Sequence, residues 1–161
     1  MKTTTITGFD PGLVHTGAVG LGFYPVEREI VVTHEAIVGP DEQAVKAFAE
    51  RLDAPPKHRF IEGYKPRSNF GTNPKMIEAV AKMRGATKGV VLLNTGVKKV
   101  VRQPLMELLG VWKFSTPTNH DDLRSAARIA LLGALKDECL NRVLFEIVRD
   151  HLNGRTWHVR G

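Results

Sequence analysis

The chain is poor in cysteine, in long apolar runs and, over one stretch, in acids. Cys139 is the single cysteine among 161 residues, so no internal disulfide can form. The default reading of such a residue is a small buried hydrophobe, and a reducing, cytoplasmic setting fits it. No run of about eighteen apolar residues occurs, so no membrane-spanning helix is expected. The opening MKTTTITGFDPG has one lysine but neither an apolar core nor a cleavage site, so it does not read as a signal peptide. Repeats and low-complexity tracts are also missing. The longest breaker-rich stretch, 66–74, is too short for a linker, so residues 1–161 read as one domain.

The third shortage is the most informative. Between residues 63 and 102 there is one acid, Glu78, against nine Lys and Arg. Of 23 basic and 17 acidic residues in all, 14 and 16 lie elsewhere, so the net charge of +6 comes from this one segment. Such segregation favours a phosphate-binding face over scattered solubilising charge.

What is present reads as alternating strands and helices. Residues 3–9 alternate and are β-branched, as a strand requires, and Asp10-Pro11-Gly12 closes it with turn residues. Residues 14–23 and 29–38 complete an antiparallel meander. Pro40-Asp41-Glu42 opens a helix carrying Ala44, Val45, Phe48, Ala49 and Leu52 at helical spacing. Residues 59–61 form a short buried strand ending at Glu62. Pro74 begins another helix, 90–93 is a fifth strand, and 97–109 is helical with a break or restart at Pro104. A long helix over 120–136 and a last one over 139–152 follow. The order predicts an α/β fold. Its mixed five-stranded sheet combines a three-strand antiparallel meander with parallel strands, and helices cover both faces.

The acids fall at telling places. Asp10 ends the first strand, Glu62 ends the fourth, and Asp121 and Asp122 open the long helix. If the first and fourth strands are parallel neighbours, both acids emerge at one sheet edge, where sites gather. Converging carboxylates repel unless a cation joins them, and oxygen-only ligands suit Mg²⁺ or Mn²⁺. Two such ions per site can activate water and stabilise a leaving oxygen in phosphodiester hydrolysis. Read singly, an Asp before Pro-Gly is a turn residue, and Asp121 and Asp122 are helix-capping acids. Glu62 has no such local role.

The segment Gly8-Phe9-Asp10-Pro11-Gly12-Leu13-Val14-His15-Thr16-Gly17 resembles the opening of the RuvC-type Holliday junction resolvases, a branch of the ribonuclease H-like superfamily. Phe60-Ile61-Glu62 resembles their second acidic strand, Lys82-Met83-Arg84-Gly85 the end of the next helix, and Val97-Lys98-Lys99-Val100-Val101 a basic stretch. Asp121-Asp122 with Ala126-Ala127-Arg128-Ile129-Ala130 resembles the final acidic helix. The resemblance implies a homodimeric, Mg²⁺-dependent endonuclease that nicks opposed strands of a four-way DNA junction. Asp10, Glu62 and one or both of Asp121 and Asp122 would be its catalytic metal ligands. One departure stands out. The family sets two ligands three residues apart at the start of the last helix, whereas Asn119 and Asp122, Asp121 and Arg124, and Asp122 and Ser125 each lack one acid. The third ligand is thus Asp122 or Asp121, with His120 a further candidate.

For phosphate contacts the candidates are Lys65, Arg67, Lys75, Lys82, Arg84, Lys98, Lys99 and Arg102. Tyr64 and Phe70, in a loop directly after Glu62, are candidates to stack on unpaired bases. The helix at 73–84 or the segment at 97–109 could supply a dimer interface. An actin-like or sugar-kinase ATPase shares the opening motif but needs two such domains around its nucleotide, so no nucleotide cofactor is expected. The alternatives are a related nuclease acting on RNA or an RNA–DNA hybrid, and a non-catalytic junction-binding module.

Overall fold

The computed structural model describes residues 2–39, 41–64 and 74–161. Among the described residues six strands form one sheet. They are β1 (Thr4–Asp10), β2 (Thr16–Tyr24), β3 (Glu29–Val38), β4 (Arg59–Gly63), β5 (Val90–Leu93) and β6 (His158–Arg160). The order is β5-β4-β1-β2-β3-β6. The β1-β2-β3 meander is antiparallel, while β4 and β5 run parallel to β1 and β6 runs parallel to β3. The mixed α/β architecture is therefore as expected, with one strand more.

That extra strand has no sequence signal because it is three exposed residues long. Its neighbour Trp157 anchors it. The indole is buried, and its Nε1 donates to Asp150 Oδ2 at 3.0 Å. His158 N then donates to Arg28 O at 2.9 Å, which starts the ladder on β3.

The helices are α1 (Glu42–Glu50), α2 (Pro74–Thr87), α3 (Val97–Val100), α4 (Gln103–Leu108), α5 (His120–Lys136) and α6 (Glu138–Leu152). The expected helix over 97–109 is two helices. Pro104 lies in the first turn of α4, where a missing N–H costs nothing, so the proline restarts the helix after Val101. Cys139 is exposed in the first turn of α6 rather than buried, because the inward face of that helix is taken by Leu140, Val143, Leu144 and Ile147.

Two apolar layers sandwich the sheet. On one face Ile6, Leu21, Phe23, Ile30 and Phe60 pack under α5 and α6. On the other, Phe9, Ala18 and Ile61 meet Val45 and Met83 of α1 and α2. Alternation along β1 thus sends Phe9 to one side and Ile6 with Gly8 and Asp10 to the other. Helix α5 lies directly on that second side. A Cβ at Gly8 would fall 1.9 Å from Ala126 O, and one at Gly17 would fall 2.7 Å from Asp122 O. These two glycines let α5 sink onto the strands, with its first turn over the end of β1. Among the described residues, no helix is long and apolar enough to cross a membrane.

Candidate active site

Parallel pairing of β1 with β4 places Phe9 opposite Ile61. The next residue of each strand is the acid, so Asp10 and Glu62 leave the sheet side by side on the face covered by α5. Both are buried, at 9 % and 8 % exposure. Asn94, at the end of β5, donates its Nδ2 to Glu62 Oε1 at 3.0 Å. Glu62 Oε2 is buried with no hydrogen-bond partner.

Two buried carboxylates in contact cannot both ionise freely. Burial, the hydrogen bond to Glu62 and the Glu62 charge push the Asp10 pKa up to about 8. The charge of Asp122 adds to the rise, and the Tyr64 hydroxyl opposes it. Asp10 therefore keeps its proton well above the ordinary carboxylate range, beside the acid that ends β4. That proton marks a place where positive charge is wanted. The donor set around it is oxygen only and includes the bare Glu62 Oε2, which fits a hard divalent cation.

Tyr64 Oη donates to Asp10 Oδ1 at 2.9 Å and approaches Pro11 O at 3.4 Å. Burial and then the Asp10 and Glu62 charges raise the phenol pKa further above its usual value, so the hydroxyl stays a donor. The ring of this proposed stacking residue is thereby tied to the carboxylate pair.

The start of α5 separates the three remaining candidates. Asn119, the residue before the helix, has φ 62° and makes no side-chain cap. Asp122 is half-buried above Gly17, and its charge acts on Asp10. Asp121 is 99 % exposed and pairs with Arg124 at 3.6 Å. His120 turns to the preceding loop, with Nε2 2.5 Å from Thr116 O and its ring edge-on to Phe114. Among the described residues no three His, Cys, Asp or Glu side chains close around one metal position. The arrangement is a carboxylate pair faced by a third acid.

No protein-family profile and no curated protein matches the chain. Among solved structures, Thermus thermophilus RuvC in complex with a Holliday junction substrate superposes with a TM-score of 0.54 at 18 % identity, covering 80 % of this chain and 90 % of that one. A second Thermus thermophilus RuvC structure gives 0.51 at 17 % identity, covering 81 % and 97 %. The chain has the RuvC fold.

On this RuvC scaffold the basic candidates flank the carboxylate pair from two elements. Lys75, Lys82 and Arg84 are exposed on α2. Lys75 and Lys82 line a cavity of about 280 Å³ that reaches Pro11 and Gly12, and Lys82 pairs with Glu78 at 3.4 Å. Lys98 and Lys99 are on α3, beside a second cavity that includes Glu62. Arg102 is exposed just after α3, and its Nε donates to Lys99 O at 3.2 Å. Lys65, Arg67 and Phe70 lie outside the described residues.

Two residues near the site went unnoticed in the sequence as functional candidates. Asn94 sits where β5 ends, the same strand-end position that singled out Asp10 and Glu62. Arg128 follows Asp121, Arg124 and Ser125 at helical spacing, a polar stripe beside the apolar one on α5.

Proposed function

We propose that this chain is a divalent-metal-dependent endonuclease that hydrolyses phosphodiester bonds in branched DNA, resolving four-way junctions as a homodimer. The observation that carries the reading is the buried Asp10–Glu62 pair on adjacent parallel strand ends, with Asp122 facing it and lysines on both flanks. The RuvC fold supports it, since the solved RuvC with that fold is bound to a Holliday junction.

Asp10 and Glu62 would hold the metal, and Asp122 would complete the negative field from α5. Bound there, Mg²⁺ or Mn²⁺ supplies Lewis acidity for water attack on the phosphate and for the leaving oxygen. The chain's own residues do the rest. Tyr64 fixes one Asp10 oxygen and leaves the other for the metal. Asn94 fixes Glu62 in the same way and leaves its Oε2 free. The layer of α5 keeps bulk water from the inner side of both carboxylates. Lysines on α2 and α3 hold the strand through its phosphates without reading its sequence.

A cleavage assay of wild type and Asp10→Asn tests this, with Mg²⁺ or Mn²⁺, on a four-way junction, an RNA–DNA hybrid and single-stranded RNA. The expected result is cleavage of the junction by wild type alone, with junction binding retained in the variant. Normal cleavage by Asp10→Asn would remove the assignment, and preference for the hybrid or the RNA would replace the substrate.

A further inference from the structure

Arg128 differs from the exposed lysines near the site in being half-buried, and no acid pairs with it among the described residues. Its Nε is buried without a hydrogen-bond partner among the described residues. Its side chain instead lies against the Trp112 ring, 5.7 Å from the centroid. That ring is already covered by Arg124 at 4.0 Å, and Arg124 also donates its Nε to Trp112 O at 2.9 Å. Burial, followed by the nearby Arg124 charge, pulls the Arg128 pKa down, with Asp121 and Glu62 opposing. A guanidinium left with an unused donor beside a second cation is set up to receive an anion.

The space it faces is suited to one. A cavity of about 270 Å³ is lined in part by Glu62, Asn94, Lys98, Lys99, Ser125 and Arg128. Three of these six are cations, and Ser125 adds a hydroxyl. Glu62, the single acid among them, has Oε1 occupied by Asn94. An anion in the cavity would therefore sit on the arginine and lysine side, next to the carboxylate pair rather than on it.

We infer that this cavity is a phosphate subsite, in which Arg128 grips one phosphodiester of the bound strand beside the Asp10–Glu62 pair and Lys98 and Lys99 close its rim. The inference rests on the nuclease reading above and specifies where the neighbouring phosphate goes. Arginine suits the role because its planar fork can make two parallel bonds to a phosphate. The Trp112 ring helps hold the plane of that fork in place before substrate arrives.

The test begins with inorganic phosphate, titrated into wild type labelled with ¹⁵N-arginine and read on the Nε–Hε signals. The signal missing from Arg128→Lys is that of Arg128. It should move and saturate, and Lys98→Gln with Lys99→Gln should raise the saturating concentration several-fold at unchanged Tm. A shift that never saturates, or one no larger than those of the exposed Arg51 and Arg155, overturns the subsite. The second arm measures metal-free junction binding across salt concentrations for folded Arg128→Gln and Arg128→Lys. Loss of about tenfold in affinity and of about one in the salt slope is expected for Gln, with partial recovery for Lys. Wild-type affinity and slope in Arg128→Gln overturn the inference. If phosphate saturates Arg128 while wild type binds a junction no better than a duplex, the subsite stands and the branched-DNA reading falls.

Discussion

The acids of the candidate site are held in two different ways. Asp10 and Glu62 ride on paired strands, so backbone hydrogen bonds set their spacing and both end up buried side by side. Asp121 and Asp122 ride on one helix, where consecutive side chains point about 100° apart. Adjacent in sequence, they have opposite circumstances: Asp122 is half-buried over Gly17 and acts on Asp10, while Asp121 is in solvent with Arg124. A strand ladder delivers a pair of acids as a unit, whereas a helix start delivers one and turns the next away.

The largest expected effects come from the strand-borne pair. Asp10→Asn or Glu62→Gln should each lower junction cleavage about a thousandfold or more, several kcal/mol of transition-state stabilisation. Activity within tenfold of wild type for either would show that the pair is structural. The helix-borne acids should then split. Asp122→Asn should cost roughly 10- to 100-fold in cleavage or metal affinity, the scale of a supporting group. Asp121→Asn should stay within about twofold, since its exposed ion pair contributes little. Equal losses in the two variants would erase the distinction drawn between them.

Gly17→Ala probes how the two halves are joined. Its Cβ would meet the Asp122 backbone oxygen at 2.7 Å, so the first turn of α5 must lift. A loss of about 1–3 kcal/mol in unfolding free energy is expected, as for other overpacked positions. Cleavage should fall further than in a variant equally destabilised far from the site, because Asp122 moves with the turn. Denaturant melts and rates measured together check this, and a matched fall in the two variants would mean that the position of Asp122 is immaterial.

Much of this arrangement is legible in the sequence. Strand ends marked Asp10 and Glu62, and apolar periodicity marked α5, because both signals are local. Choosing between Asp121 and Asp122 was not possible from spacing, since the rotation of α5 is set by its contacts with Gly8 and Gly17 on other elements. Strand β6 was invisible for the same kind of reason, as it depends on Trp157 reaching Asp150. Tyr64 and Arg128 show a further limit. The sequence marks Tyr64 as an aromatic in a basic loop, but only the fold ties its hydroxyl to Asp10. Likewise only the fold leaves Arg128 with an unused buried donor.

The last effect isolates the strand-borne pair thermodynamically. Asp10 has its pKa raised from the ordinary 3.8 to about 8 in the folded chain without metal. The folded state therefore keeps a proton that the unfolded chain releases once pH exceeds about 4. That contribution to stability is fully present below pH 4 and is lost as pH rises toward 8. Metal-free wild type should lose several degrees of Tm relative to Asp10→Asn between pH 5 and 8, because the variant has no carboxyl to titrate. Mg²⁺ should have the opposite trend. It takes the place of the Asp10 proton, so its stabilisation of wild type should grow across the same window and be much smaller in Asp10→Asn. Thermal melts of both chains at pH 5 and 8, with and without Mg²⁺, decide it. Parallel Tm curves for the two chains would mean that Asp10 holds no proton in this window, and the case for a cation beside it would lose its electrostatic basis.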